Sequence, residues 1–133
     1  IFVNNAVYGM TGGQMAPTTM PDQRTTTSPF GRDVADVGMP IKMAELLAAL
    51  QTPAYITRQT VIKPKYINRA KKAIHKAFSY QLEERCFSFV EVVSTCPTNW
   101  GMTPLEAIDW TEKTLLPYYA LGDRKTPEAR EEA

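Results

Sequence analysis

Ile1-Phe2-Val3-Asn4-Asn5-Ala6-Val7-Tyr8-Gly9-Met10-Thr11-Gly12-Gly13-Gln14 joins a short apolar run to a polar turn carrying three glycines. Ile1, Phe2 and Val3 are strand formers, and the turn at the carboxyl end of a parallel strand is where open α/β sheets receive their ligands. Asn5 carries a side-chain carbonyl oxygen suited to a hard cation such as Mg²⁺, and a main-chain carbonyl near Val7 offers a second oxygen. Gly9, Gly12 and Gly13 let backbone N–H groups close around an anion. Taken by themselves, two asparagines followed by scattered glycines also describe an ordinary turn.

Working outward from this turn, strand and helix patterns alternate as in an α/β sheet. The first strand is expected over residues 1–4. Residues 5–39 hold Gly9, Gly12, Gly13, Gly31, Pro17, Pro21, Pro29 and a Thr/Ser cluster, too long for a routine connection and therefore either functional or disordered. Pro40 can open a helix over 41–50, with Met43, Leu46, Leu47 and Leu50 facing the sheet. Residues 54–58 form the second strand. A helix over 66–85 follows, with an apolar stripe of Ile67, Ala70, Ile74, Ala77 and Phe78 and with Arg69, Lys71, Lys72 and Lys76 mostly on other faces. The third strand covers 87–93. Thr103, Pro104 and Glu106 supply an N-cap, a first-turn proline and a capping-box acid for a helix that Pro117 is expected to stop. Beyond Gly122 the chain is charged and poor in apolar residues, and a frayed tail is expected there. The fold class is α/β, a mainly parallel sheet flanked by helices.

Composition narrows the function classes. The 133 residues carry a net charge of +1 and two cysteines. So small a net charge gives no global field for nucleic acid or an anionic membrane. No apolar run approaches the roughly 18 residues of a membrane-spanning helix, and Ile1-Phe2-Val3 lacks the basic start and apolar core of a secretory leader. Cys86 and Cys96 are too sparse for a disulfide framework.

The run NNAVYGMTGGQMAPTT (residues 4–19), followed by TTTSPFGRD (25–33), resembles the thiamine diphosphate-binding β subunit of the 2-oxoacid:ferredoxin oxidoreductases of the 2-oxoglutarate or branched-chain 2-oxo acid type. The similarity continues through ITRQ (56–59) and VVSTCPTNWGMTP (92–104), covering residues 1–117 and leaving 118–133 as a charged tail. The resemblance implies the C-terminal part of a thiamine diphosphate-binding fold, within a subunit whose upstream half carries a Gly-Asp-Gly segment and further cysteines. It implies thiamine diphosphate bound through Mg²⁺, with Asn5 (side chain) and Val7 (main chain) as metal ligands. Tyr8, Gly9, Met10, Thr11 and Gly12 then line the cofactor, Met10 lying near its reactive region. It also implies that Cys96 ligates a 4Fe–4S cluster in the intact subunit, where a lone thiolate in this chain cannot. The implied partners are an α subunit with possible further subunits, ferredoxin, a 2-oxo acid and coenzyme A, in the cytoplasm. A chain cut in this way is expected to bind cofactor weakly and could pair with itself through exposed apolar surface and strand edges.

Two other classes stay open: a non-oxidative thiamine enzyme, which needs the Asn5 motif but not Cys96, and a non-catalytic interaction module. Plain structural readings also stand beside the functional ones. Tyr8 could be a packing residue, Pro17 to Thr19 and Thr25 to Thr27 could simply stiffen the loop, where the resemblance implies a lid near the substrate, and a single cysteine is usually a buried inert thiol. His75 and Lys63 to Lys76 read as a solvated helix face, although an acidic partner such as ferredoxin would suit the lysines. Cys86 reads as structural, Trp100 and Trp110 as core or interface aromatics, and Arg58 as facing either a substrate carboxylate or another subunit.

Overall fold

The computed structural model describes residues 1–83 and 86–127. Its elements in chain order are β1 (Phe2–Asn4), β2 (Val7–Tyr8), β3 (Gln14–Met15), α1 (Val34–Val37), α2 (Met43–Ala48), β4 (Ala54–Thr60), α3 (Pro64–Leu82), β5 (Phe87–Val93), α4 (Pro97–Trp100), α5 (Pro104–Trp110), a π-turn (Thr111–Leu115), α6 (Leu116–Tyr118) and β6 (Gly122–Lys125). A mainly parallel four-stranded sheet runs β1-β5-β4-β6, and β2 and β3 form a separate antiparallel hairpin. The chain is therefore α/β, with helices flanking the sheet. It divides into two compact units, one made of the described residues of 1–2, 43–92 and 121–127 and the other of 3–42 and 93–120.

The first unit is built around β4, whose residues are buried on both faces apart from Gln59. That continuous burial is the mark of a central strand in a parallel sheet. On one side, Tyr55, Val90 and Val92 pack with Ala77 of α3, and on the other Ala54 and Ile56 pack with Ala44 of α2. The buried face of α3 is Ala70, Ala73 and Ala77, so small side chains bring the helix close to the sheet. The expected stripe was displaced, since Phe78 and Ile67 are exposed. In α2 the same correction holds: Ala44 is buried and Leu47 packs beside it, while Leu46 and Leu50 face outward. Leucine at helical spacing marked the helix, but the close approach selected alanine for the contact.

Two further expectations were overturned in this region. Gly122–Lys125, expected as frayed tail, forms an edge strand antiparallel to β4, with a register shift between Ile56 and Thr57. Charge did not preclude order because Arg124 pairs with Glu45 at 3.0 Å and the Lys125 ammonium donates to the Leu50 carbonyl. The rest of the expected tail beyond Pro127 lies outside the described residues. Arg58, expected to meet substrate or another subunit, is fully buried and turns inward to Glu91 at 2.8 Å and to Glu45 at 2.8 Å.

In the second unit, Ala6, Met20, Val93, Leu115 and Tyr119 form the core, with Trp100 and Trp110 packed against it edge-to-face at 4.7 Å. Thr103 and Glu106 make the expected capping box. Pro117 does not stop the helix as expected. The helix widens to a π-turn, the Leu116 N–H donates to the Thr111 carbonyl, and Pro117 enters a last turn that ends at Tyr118. Widening accommodates a proline that has no N–H to donate and whose ring would collide with an ordinary α-helical carbonyl.

The long 5–39 segment is ordered around a single cation. Arg32 is 5% exposed, and its guanidinium donates to the carbonyls of Ala16, Pro17, Thr19, Val37, Gly38 and Met39 at 2.9–3.3 Å. A planar fork with five N–H donors suits this role, since it reaches carbonyls from two stretches of the loop at once, 16–19 and 37–39.

Candidate functional site

Ala6 sits in the left-handed region at φ 58 and is fully buried. A side chain other than glycine held there stores local strain, a feature that clusters at binding sites. Its two main-chain groups are both held. The Ala6 N–H donates to the Asn4 side chain at 3.1 Å, and the Thr19 hydroxyl donates to the Ala6 carbonyl at 2.6 Å. Thr19 also accepts from the Ala16 N–H at 2.8 Å, so one buried hydroxyl joins the start of the turn to the loop that Arg32 gathers. The kink at Ala6 separates Asn5 from Val7, the two residues expected to offer oxygen to Mg²⁺.

Past the kink, Val7 is buried and Tyr8 is half-exposed, pairing with Met15 and Gln14 in the β2–β3 hairpin. Tyr8 is therefore not a packing residue beneath the loop. The turn is closed by the Gly13 N–H on the Tyr8 carbonyl at 2.8 Å and by the Gln14 amide on the Thr11 carbonyl at 2.8 Å. The Thr11 hydroxyl meets Gln14 at 2.7 Å. Met10, Thr11 and Gly12 are exposed at the tip, Met10 completely. Among the described residues, no acceptor takes up the Met10 and Thr11 N–H groups.

Behind the turn lies Cys96–Trp100. The Cys96 sulfur packs so closely on Gly9 that a Cβ there would meet it at 2.9 Å, and a Cβ at Gly13 would meet the Asn99 side chain at 2.8 Å. A side chain at Gly9 would have to displace the Cys96 sulfur, and Gly13 is held to glycine by a φ of 79 as well as by the close Asn99. Asn99 donates to the Gly9 carbonyl at 3.0 Å and to the Cys96 sulfur at 3.2 Å, while the Trp100 indole N–H donates to the Asn5 carbonyl at 3.1 Å. Pro97 opens the single helical turn α4, and Gly101 closes it in the left-handed conformation.

Asn5, Val7, Tyr8, Gly9, Met10, Thr11 and Gly12 lie on one turn, and the Cys96 sulfur stands against it at Gly9. Ala6, Asn99 and Trp100 also border this turn and were not singled out for it from the sequence, while Thr19 was read there as a loop-stiffening or lid residue. Asn99 and Trp100 had a readable sign in their place three and four residues after Cys96 in the TNW segment, and Thr19 in the run that carries the resemblance. Cys86 and His75 take no part in it: Cys86 packs beside Tyr55, Ala77, Val90 and Val92, and His75 is exposed on α3.

The chemistry is that of an oxygen-rich turn with free amides at its tip. Asn5 and the main chain offer neutral oxygens to a hard cation, and exposed N–H groups suit the anion it would carry. Glycines whose missing side chains would collide with Cys96 and Asn99 keep the backbone close to both. These features fit Mg²⁺ with a diphosphate. They do not by themselves fit an iron–sulfur cubane, for among the described residues no three His, Cys, Asp or Glu side chains gather to hold a metal.

Residues 1–92 match the family of thiamine pyrophosphate enzymes, C-terminal TPP binding domain. The chain belongs to this family. Among relatives of this TPP-binding domain is the ketoisovalerate oxidoreductase subunit VorA of Methanothermobacter thermautotrophicus, 53% identical over 98 residues that make up 74% of this chain and 20% of VorA. The 2-oxoglutarate synthase subunit KorB of Archaeoglobus fulgidus is 39% identical over 108 residues, 81% of this chain and 36% of KorB. The pyruvate synthase subunit PorB of Pyrococcus furiosus is 31% identical over 107 residues, 80% of this chain and 30% of PorB. The chain thus spans about a fifth to a third of these relatives' length. No described helix is long and apolar enough to cross a membrane.

Proposed function

We propose that this chain is part of the thiamine diphosphate-binding β subunit of a 2-oxoacid:ferredoxin oxidoreductase, which oxidatively decarboxylates a 2-oxo acid, forms its coenzyme A thioester and reduces ferredoxin. The observation that carries an oxidative enzyme over a decarboxylase or synthase is the Cys96 sulfur seated directly on Gly9 of the cofactor turn. A non-oxidative enzyme has no need of a thiol at that place. In the complete assembly Cys96 would supply one thiolate of a 4Fe–4S cluster whose other ligands come from outside this chain. The free state of Cys86 and Cys96 agrees with a cytoplasmic location.

Asn5, through its side-chain oxygen, and Val7, through its main-chain carbonyl, would hold Mg²⁺. The Met10 and Thr11 amides, with Gly12, would receive the diphosphate, and Tyr8 and Met10 would flank the reactive end. Bound thiamine diphosphate supplies the thiazolium carbanion that attacks the 2-oxo carbon. The chain's own part is to fix the turn, which the strained Ala6 and the Thr19 hydroxyl that holds its carbonyl do from behind.

A branched-chain acid of the 2-oxoisovalerate type is the preferred substrate. The VorA relative has the higher identity of the three, and a cleft of about 410 Å³ beside Tyr8 has Met15, Pro17, Val37, Met39 and Ile41 in its wall. Its cation, Arg32, has its hydrogens turned to carbonyls and offers none to a second carboxylate. 2-Oxoglutarate is the second reading, favoured by the KorB relative.

The test is the full-length subunit assembled with its partners under anaerobic conditions, assayed for 2-oxo acid- and coenzyme A-dependent viologen reduction. Activity highest with 2-oxoisovalerate, and lost in Asn5→Ala while the cluster spectrum persists, is expected. No reduction with any 2-oxo acid despite bound thiamine diphosphate would return the protein to the non-oxidative enzymes.

A further inference from the structure

Asn99 is 90 residues from the turn it touches, and its side-chain amide uses both of its hydrogens there. One goes to the Gly9 carbonyl at 3.0 Å and the other to the Cys96 sulfur at 3.2 Å. The same side chain fills the space beside Gly13, where a Cβ would come within 2.8 Å of its oxygen. Gly9 and Gly13 are the two ends of the exposed turn at Met10, Thr11 and Gly12. The next residue, Trp100, holds the Asn5 carbonyl at 3.1 Å. Two consecutive side chains of one short helical turn therefore fix the carbonyls on either side of residues 6–8.

We infer that Asn99 is a positioning residue for the cofactor turn, holding Gly9–Gly13 in the conformation that presents its free amides to the diphosphate. The role rests on the cofactor assignment proposed above and adds a residue to it. The physical case is one of preorganisation. A turn with glycines at 9, 12 and 13 has wide conformational freedom, and binding an anion with it costs the entropy of ordering it unless something orders it beforehand. The β2–β3 pairing and Gln14 hold the turn from within. Asn99 holds it from another part of the chain, and it does so with donors to a main-chain carbonyl, which neither a carboxylate nor an alkyl group can replace. Cys96 accepts from the same amide, so the thiol and the turn are tied through one side chain.

Two substitutions separate donor from volume. Asn99→Asp keeps the shape packed on Gly13 but, when ionised, has no hydrogen to donate, and Asn99→Ala removes both. They are made in the full-length subunit assembled with its partners. Binding of thiamine diphosphate with Mg²⁺ is followed by calorimetry, and the melting of the cofactor-free protein is measured alongside. Loss of one neutral hydrogen bond and of the preordered turn weakens binding about tenfold or more in both variants. The cofactor-free melt stays cooperative, and the KM for the 2-oxo acid at saturating cofactor stays near that of the unchanged protein. Wild-type affinity in Asn99→Asp would overturn the role, leaving Asn99 a space-filling side chain. Loss of a cooperative melt in Asn99→Asp would overturn it too, by assigning Asn99 to the fold. Failure of the unchanged protein to bind thiamine diphosphate would instead sink the cofactor assignment, and the role with it.

Discussion

Two buried arginines organise the two units by opposite means. Arg58 in β4 faces two carboxylates, Glu91 at 2.8 Å and Glu45 at 2.8 Å, whereas Arg32 in the loop meets six main-chain carbonyls and, among the described residues, no acid. The first arrangement ties one residue from each of three elements, and its strength depends on charges that titrate. The second gathers a loop by dipoles that do not. Burial opposes charge on Glu45, but the Arg58 guanidinium outweighs it and holds the carboxyl down at about 2. Burial likewise opposes charge on Arg58, and Glu45 and Glu91 overcome it and raise its pKa. An ion pair in the sheet and a carbonyl cage in the loop therefore differ in what can break them.

The largest effect is expected from Arg58→Met in the full-length subunit. It leaves Glu91, fully buried, without its guanidinium, and loss of one partner of a buried pair costs about 3–5 kcal/mol. A denaturant titration measures this, and Arg58→Met/Glu91→Leu should recover most of it. No recovery would mean that the pair organises β4 and β5 beyond its charges.

A smaller loss follows from Arg32→Lys. Three donors replace five while the positive charge stays, so the carbonyls that lose a hydrogen bond still face a cation. Hydrogen exchange should quicken across residues 16–39 and stay unchanged in β4 and β5. Equal quickening in the strands would erase the distinction between the two arginines.

The smallest and sharpest contrast comes from pH. Glu45 is depressed from 4.5 to about 2, so the stability it contributes is fully present above its unfolded pKa and is lost as pH falls from about 4.5 through about 2. Denaturant midpoints across that window should fall less in Glu45→Gln than in the unchanged protein. Exchange within residues 16–39, which Arg32 gathers without an acid, should respond less than exchange in β4. A loop that opens first on acidification would show that the carbonyl cage depends on the ion pair.

Much of this was legible in the chain. Alternating strand and helix patterns gave the order of β1, α2, β4, α3 and β5, and Thr103 with Glu106 gave the start of α5. The turn from Asn5 to Gly12 was legible as a turn from its glycines, and its reading as a candidate site came from the resemblance its residues carry. What misled were features whose outcome depends on partners. Leu46, Leu50 and Phe78 marked helices correctly but not their buried faces, since alanine permits the closer approach. Pro117 forbids an ordinary α-helical bond, yet a π-turn accommodates it. The charges of Arg124 and Lys125 suggested a frayed end until Glu45 and the Leu50 carbonyl met them.

The sequence by itself determined the α/β class and the place of a glycine-bearing turn after the first strand, because periodicity, capping and glycine content act over a few residues. Only the tertiary structure decided that Cys96 and Asn99 stand behind Gly9, that Thr19 secures the strained Ala6, and that Arg58 and Arg32 serve the interior. Each of those contacts joins groups far apart along the chain, and hydrogen bonds act over about 3 Å of space whatever the separation in sequence.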